Sequence, residues 1–160
     1  MTITIRTPLE TDNDVWTSLF TDYLTFYETS RSASSIQMVW ERLTTSPPMI
    51  LGLLAERDGA VIGLAHFHVQ TSTWADHGIC YLEDLFVLPS ARGQGVASLL
   101  INRVVALARE HGCSEVTWIT RSDNVVARRL YDQLASLSPF VRYEIDLDET
   151  AATSTFTIET

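Results

Sequence analysis

Gly93-Gln94-Gly95 marks the junction where an apolar, strand-like run, Tyr81-Leu82-Glu83-Asp84-Leu85-Phe86-Val87, gives way beyond Pro89 to a long amphipathic stretch. Glycines let the backbone come close to a ligand, and the first amides of a helix point outward without intrahelical partners. A turn of this kind is built to hold an anion, above all a phosphate. Arg92 adds a positive charge beside it. A dinucleotide site would need Gly or Ala at the last position of G-x-G-x-x-G and an acidic residue closing the next strand. Here Ser98 occupies that last position, and Glu115 opens the following strand instead of closing it, so the dinucleotide reading fails twice. Two adjacent carboxylates, Glu83 and Asp84, precede the turn. Strand alternation puts Tyr81, Glu83 and Leu85 on one face and Leu82, Asp84 and Phe86 on the other. Farther on, Asn124 and Tyr131 stand seven apart, which returns them to nearly the same face of a helix.

The elements that must position these groups follow from periodicity. Met1 to Ile5 alternates as a strand. Trp16, Leu19, Phe20, Tyr23, Leu24 and Tyr27 line one helix face, with Thr11 to Asp14 expected to supply the cap and first-turn acids. A second helix carries Ile36, Val39, Trp40 and Leu43, begins near Ser34 or Ser35, and stops before Pro47-Pro48. Runs at 49–56 and 61–69 flank Asp58-Gly59, a hairpin turn. A loop is expected over Gln70 to Gly78, then the strand ending at Val87. Ala97, Leu100, Ile101, Val104, Leu107 and Ala108 face inward on the helix after the glycines, and Gly112 ends it. A strand at 115–120, a helix over 124–134 and strands near 140–147 and 153–158 complete the order β-α-α-β-β-β-α-β-α-β-β. Hairpins together with one right-handed crossover predict an α/β fold around a mixed, mostly antiparallel sheet.

Composition narrows the function classes. At 160 residues with 46% hydrophobic content, the chain is expected to form one domain over 1–160 with a substantial core. No apolar run is long enough for a membrane span and no signal peptide is evident, so a cytoplasmic protein is expected. The net charge, 11 − 20 = −9, argues against nucleic-acid or anionic-membrane partners and suits cationic ones. Cys80 and Cys113 lie in apolar surroundings and read as reduced, buried thiols. His66 and His68 share a strand face with His77 nearby, but the spacing specifies no third ligand, so no metal is expected.

Arg92-x-x-Gly95-x-Ala97 resembles the pyrophosphate-binding pattern of the GNAT superfamily of acyl-CoA-dependent N-acetyltransferases, and the element order resembles theirs over nearly the whole chain. Within that superfamily, Tyr81-Leu82-Glu83-Asp84-Leu85-Phe86-Val87 is similar to the diamine and polyamine acetyltransferases. Phe26-Tyr27-Glu28, Ser72-Thr73-Trp74, Trp118-x-Thr120 and Asn124-x-x-Ala127-x-x-x-Tyr131-Asp132 resemble a branch that contains histone and polyamine acetyltransferases. The usual Gly-Phe after the last helix is replaced here by Leu134-Ala135-Ser136-Leu137-Ser138-Pro139-Phe140.

The resemblance implies an enzyme that moves acetyl from acetyl-CoA to a primary amine in a ternary complex, a polyamine or other small amine first and a protein lysine or N-terminus second. A non-catalytic acyl-CoA sensor is the rival outside the enzymes. Cofactor contacts would come from Leu85, Phe86 and Val87 along the pantetheine arm, from Arg92, Gly93, Gln94, Gly95, Val96, Ala97 and Ser98 at the pyrophosphate, and from Asn124 and Ala127. Tyr131 would protonate the departing thiolate. Glu83, with Asp84 as its alternate, would bind the incoming ammonium and relay its proton. Tyr27, Glu28 and Trp74, with both carboxylates, would wall the amine site. A small-molecule or peptide amine is the implied partner, and the resemblance allows a homodimer.

Overall fold

The opening alternation forms strand β1 (Ile3–Arg6) in the computed structural model, which describes residues 2–145 and 147. Helices α1 (Asn13–Phe26) and α2 (Ala33–Thr44) follow. Asp12 stands at the start of α1 but does not cap it: its carboxylate accepts from the Arg6 guanidinium at 2.6 and 2.9 Å and from the Leu9 amide at 2.7 Å. Charge-assisted partners outcompete a first-turn amide for the same oxygens. Ser32 caps α2, its hydroxyl accepting from the Ser35 amide at 3.1 Å, so that helix starts slightly earlier than its apolar pattern indicates.

Strands β2 (Leu51–Arg57) and β3 (Ala60–Ser72) turn at Asp58-Gly59, whose φ angles of 52° and 80° are the left-handed pair a tight primed hairpin requires. Strand β4 (Ala75–Val87) continues the meander. The loop expected over Gln70 to Gly78 is instead hairpin: Gln70 pairs with Ile79 and Ser72 with Ala75, leaving Thr73 and Trp74 as the turn. This distal part of the hairpin is mostly solvent-exposed, so no apolar alternation marks it in the sequence. Helix α3 (Val96–Glu110) crosses over to β5 (Val116–Thr117), which pairs parallel with β4, and α4 (Val125–Leu134) follows. The sheet runs β1-β2-β3-β4-β5, antiparallel except at the last pair.

The strand expected over 115–120 is thus only two residues long. Residues 136–145 form no strand, although Val141, Tyr143 and Ile145 alternate with polar neighbours; a period of two makes a strand only where another strand completes the ladder. The strand expected at 153–158 lies outside the described residues. No helix among the described residues is long and apolar enough to cross a membrane.

Apolar side chains collect in two layers. Beneath α3 lie Leu53, Ala65, Phe67, Cys80, Leu82 and Val87 with Val96, Leu100, Ile101 and Val104. On the opposite face, Trp16, Phe20, Leu24, Trp40 and Leu43 cover Leu54, Leu64 and Phe86. Leu82 and Phe86 therefore face opposite layers, against the alternation expected from sequence. The cause is a bulge: His66 pairs with Asp84 but Phe67 pairs with Leu82, leaving Glu83 as an extra residue.

Candidate active site

Helix α3 begins at Gly95, which sits in the left-handed region at φ 79°, two residues after Gly93 at φ 73°. A Cβ built on either glycine would meet nothing within 4 Å, so both backbones border open space. The amides of Val96, Ala97 and Ser98 have no acceptor among the described residues, and the first capping bond runs from the Leu99 amide to the Gly95 carbonyl at 3.1 Å. These donors meet a cavity of about 480 Å3 lined by Leu85, Phe86, Val87, Arg92, Ala97, Ser98 and, across from them, α4. Its walls are largely apolar and its charge sits at one end, as suits an extended ligand with an anionic portion. Arg92 is held there: its Nε donates to the Val87 carbonyl at 3.1 Å, and its guanidinium stands 5.3 Å and 5.8 Å from the ring centres of Phe26 and Phe86.

Asn124 caps α4, its Oδ1 accepting from the Ala127 amide at 3.4 Å while its Nδ2 donates to Thr120 Oγ1 at 3.1 Å. Asn124, Ala127, Leu130 and Tyr131 all line the cavity, so the seven-residue spacing does bring Asn124 and Tyr131 to one side. The Tyr131 ring packs edge-on to Trp118 at 5.4 Å. Burial, with a smaller contribution from Tyr27, pushes its phenol up to about 12. The hydroxyl consequently stays protonated through the neutral and moderately alkaline range.

A second cavity, of about 300 Å3, opens between α1, α2 and β4 and shares Tyr27 with the first. Both Glu83 and Asp84 line it. Strict alternation would have separated them; the bulge turns them to the same side. Asp84 is fixed from behind. The Trp16 indole N–H donates to His66 Nε2 at 2.9 Å, and an indole can only donate, so the imidazole proton is on Nδ1 and is donated to Asp84 Oδ2 at 2.9 Å. Burial first, then the charge and hydrogen bond of Asp84 and the charges of Tyr27 and Glu83, push the Tyr23 phenol well above its ordinary value. Tyr23 is therefore a neutral donor beside both carboxylates. Glu83 is half exposed and stands 3.4 Å from His68 Nδ1.

The expected site residues divide accordingly. The first cavity gathers Leu85, Phe86, Val87, Arg92, Gly93, Gly95, Ala97, Ser98, Asn124, Ala127 and Tyr131, and the second gathers Glu83, Asp84 and Tyr27. Val96 turns its side chain into the core and offers only its backbone, while the Gln94 side chain is engaged with Arg57 and the Ser90 carbonyl. Glu28 and Trp74 line neither cavity. Glu28 takes a left-handed conformation (φ 56°) that ends α1, and its charge acts on Arg121. Trp74 is the hairpin tip, 87% exposed, roughly ten strand residues or 30 Å from Leu85. Sequence reasoning did not single out Phe26 or Leu130 in the first cavity, nor Arg31 and Arg42 in the second. Leu130 could have been found from Ala127, three residues earlier on the same helix face; the arginines belong to no motif. Among the described residues, no group of three His, Cys, Asp or Glu could hold a metal ion. Cys80 is buried, which pushes its thiol up to about 11, whereas Cys113 is only half buried.

Comparison with known proteins accounts for this architecture. Residues 15–135 match the acetyltransferase (GNAT) family. The D-amino-acid N-acetyltransferase HPA3 of Saccharomyces cerevisiae is 30% identical over 135 residues, 83% of this chain and 84% of that protein. Thialysine N-epsilon-acetyltransferase of Bos taurus is 36% identical over 88 residues, about half of each chain (54% and 51%). Among solved structures, AAC(6')-Iy in complex with a CoA bisubstrate analog shares the fold, with a TM-score of 0.78 over 92% of this chain and 99% of that one at 23% identity.

Proposed function

The chain belongs to the GNAT family of acetyltransferases and is an acetyl-CoA-dependent N-acetyltransferase; from that premise we propose that it acetylates the primary amine of a small molecule by direct attack, with both substrates bound together. The observation that carries this reading is the pair of cavities meeting at Tyr27, one edged with unpaired amides and the other with carboxylates. Acetyl-CoA fits the first: the space beside Gly93 and Gly95 admits a pyrophosphate against the amides of Val96, Ala97 and Ser98. Leu85 to Val87 flank the pantetheine arm, with Asn124 and Ala127 on the facing helix. When bound, it supplies an acetyl group activated as a thioester.

The chain's own groups do the rest. Asp84, oriented by His66 and Tyr23, holds the incoming ammonium. Glu83, half in solvent at the bulge, passes the ammonium proton to water. Tyr131 donates its hydroxyl to the sulfur that leaves. Thiols ordinarily titrate near 8.5, so a phenol pushed up to about 12 holds its proton more tightly than that sulfur does. Its main contribution is therefore a hydrogen bond that strengthens as charge gathers on sulfur. Tyr27, which lines both cavities, borders the point where the reacting ends meet.

The relatives named for D-amino acids and thialysine support a small-molecule acceptor over a protein one, as does the modest volume of the second cavity. Thiol release from acetyl-CoA, measured across polyamines, amino acids and histone-tail peptides, tests it. Turnover with small amines exceeding that with peptides is expected. Turnover with peptides alone would overturn the small-molecule reading, and CoA binding without thiol release for any amine would leave a sensor.

A further inference from the structure

The second cavity carries charge of both signs, and acetyl transfer to an amine explains only the negative half. Besides Glu83 and Asp84 from β4, it is lined by Arg31, from the connection between α1 and α2, and Arg42, from α2 itself. Arg6, Arg103, Arg121 and Arg142 are each paired with a carboxylate. Arg31 and Arg42 are in no ion pair among the described residues; the side-chain partner of Arg42 is the Met38 thioether at 3.3 Å, which leaves most of its five donors unused.

Neither arginine hangs on a loose segment. The Thr29 amide bonds back to the Leu24 carbonyl at 3.0 Å and closes α1, and three residues later Ser32 caps α2, so Arg31 is pinned between two helix ends. The Arg42 carbonyl accepts from the Met49 and Ile50 amides at 3.0 and 3.3 Å, tying α2 to the segment that supplies Ile50 to the same cavity. A purely cationic amine entering here is attracted by two carboxylates and repelled by two guanidiniums. A molecule with an ammonium and an anion is matched at both ends, and guanidinium favours a planar carboxylate that it can grip with two parallel bonds.

We propose that the acceptor amine carries a carboxylate, which Arg31 and Arg42 hold while its ammonium meets Asp84 and Glu83: the substrate is a free amino acid or a comparable zwitterion. The proposal rests on the acetyl-transfer reading above and narrows its substrate class away from polyamines.

Matched pairs that differ only in the carboxylate test it, with thiol release from acetyl-CoA as the readout: phenylalanine of either hand against phenethylamine, and lysine against cadaverine, with spermidine alongside. A charge-assisted bond of this kind is equivalent to roughly ten- to hundredfold in binding. The kcat/KM for at least one amino acid should therefore exceed that of its decarboxylated partner by about that factor, mostly through KM. Arg31→Gln and Arg42→Gln should each shrink that ratio toward one, in protein whose circular dichroism and CoA affinity match the parent. Equal or faster turnover of the decarboxylated amines, or a ratio untouched by both variants, would overturn the carboxylate assignment and leave acetyl transfer standing. Absence of thiol release with every amine, in protein that binds CoA, would overturn the transfer reading and this proposal with it.

Discussion

The two cavities that meet at Tyr27 are built by different means. The larger is a backbone site: two left-handed glycines, the amides of one helical turn and the edge of one strand, all but α4 and the Phe26–Tyr27 end of α1 within the span Leu85 to Ser98. The smaller is a side-chain site, assembled from α1, α2, β3 and β4, with Asp84 oriented through a relay that reaches the buried Trp16. A backbone site can be specified by a few neighbouring residues. A side-chain site needs the whole sheet in register. The common groove should therefore respond to local changes near 93–98, and the acceptor pocket to changes far from it in sequence.

The largest effect should come in the first cavity, at Tyr131. Tyr131→Phe removes a donor without changing shape, and losing one such donor costs about 10²–10³-fold in kcat; CoA affinity measured by calorimetry should be unaltered. Since the phenol is pushed up to about 12, its contribution should be present at every pH below about 11 and vanish only as the group ionises. A kcat within a few-fold of the parent would remove Tyr131 from the chemistry. Gly95→Glu would sharpen the backbone half of the comparison. Its side chain would project into the open space beside α3 and repel phosphates, weakening CoA binding on the order of a hundredfold, more than one lost charge-assisted bond. Unchanged affinity in a folded variant would mean that the cradle lies elsewhere.

For the side-chain half, Asp84→Asn and Glu83→Gln should each reduce kcat/KM by roughly ten- to hundredfold, the range of a lost ion-assisted contact. Asp84→Asn should act mainly on KM. Glu83→Gln should act on kcat, with partial recovery as rising pH supplies free amine. Identical pH profiles for Glu83→Gln and the parent would take the proton relay away from Glu83. Behind the pocket, His66→Phe leaves the Trp16 indole without an acceptor at a buried site, a loss of about 1–3 kcal/mol. Thermal unfolding should start several degrees lower while CoA affinity is retained, and an unshifted midpoint would show that the relay does not support the pocket. Smallest is Asp12→Asn, remote from both cavities. Arg6 holds the Asp12 carboxyl below its ordinary value of 3.8, so its stabilisation is present above that pH and is lost as pH falls through the lower folded value. The variant should lose on the order of 1 kcal/mol at neutral pH and almost nothing in strong acid, with chemical denaturation at the two pH values as the measure.

The same division explains what the sequence revealed. The glycine turn, α3 with its apolar face, and the Asn124–Tyr131 spacing are local patterns, and each is found where periodicity put it. The family's element order was legible for the same reason. What failed depended on partners distant in the chain. The polar hairpin arms at 70–78 are strands because they pair with each other beyond the helices, and Val141 to Ile145 alternate with no partner strand among the described residues. Trp74 and Glu28 carry motif-like neighbours yet sit at a hairpin tip and a helix end. Leu82 and Asp84 were assigned to one face because nothing in Glu83 announces a bulge, and Arg31 and Arg42 become neighbours of the carboxylates only once α2 lies over β4.

That bulge gives the chain an unusual route to change. Deleting residue 83 would restore a regular pleat without turning its flanks over: Leu82 and Asp84 already face opposite layers, so the residues on either side would keep their rungs against β3. A single-codon deletion here is therefore not equivalent to any substitution, because it would withdraw one carboxylate and flatten the strand while Asp84 stays on its partner His66. Directed libraries confined to point mutations would never sample that alternative. Libraries that allow one-residue indels at 82–84, screened for new acceptors while α3 and its glycine turn are kept, would reach acceptor pockets with a flatter, less acidic wall on an unaltered cofactor groove.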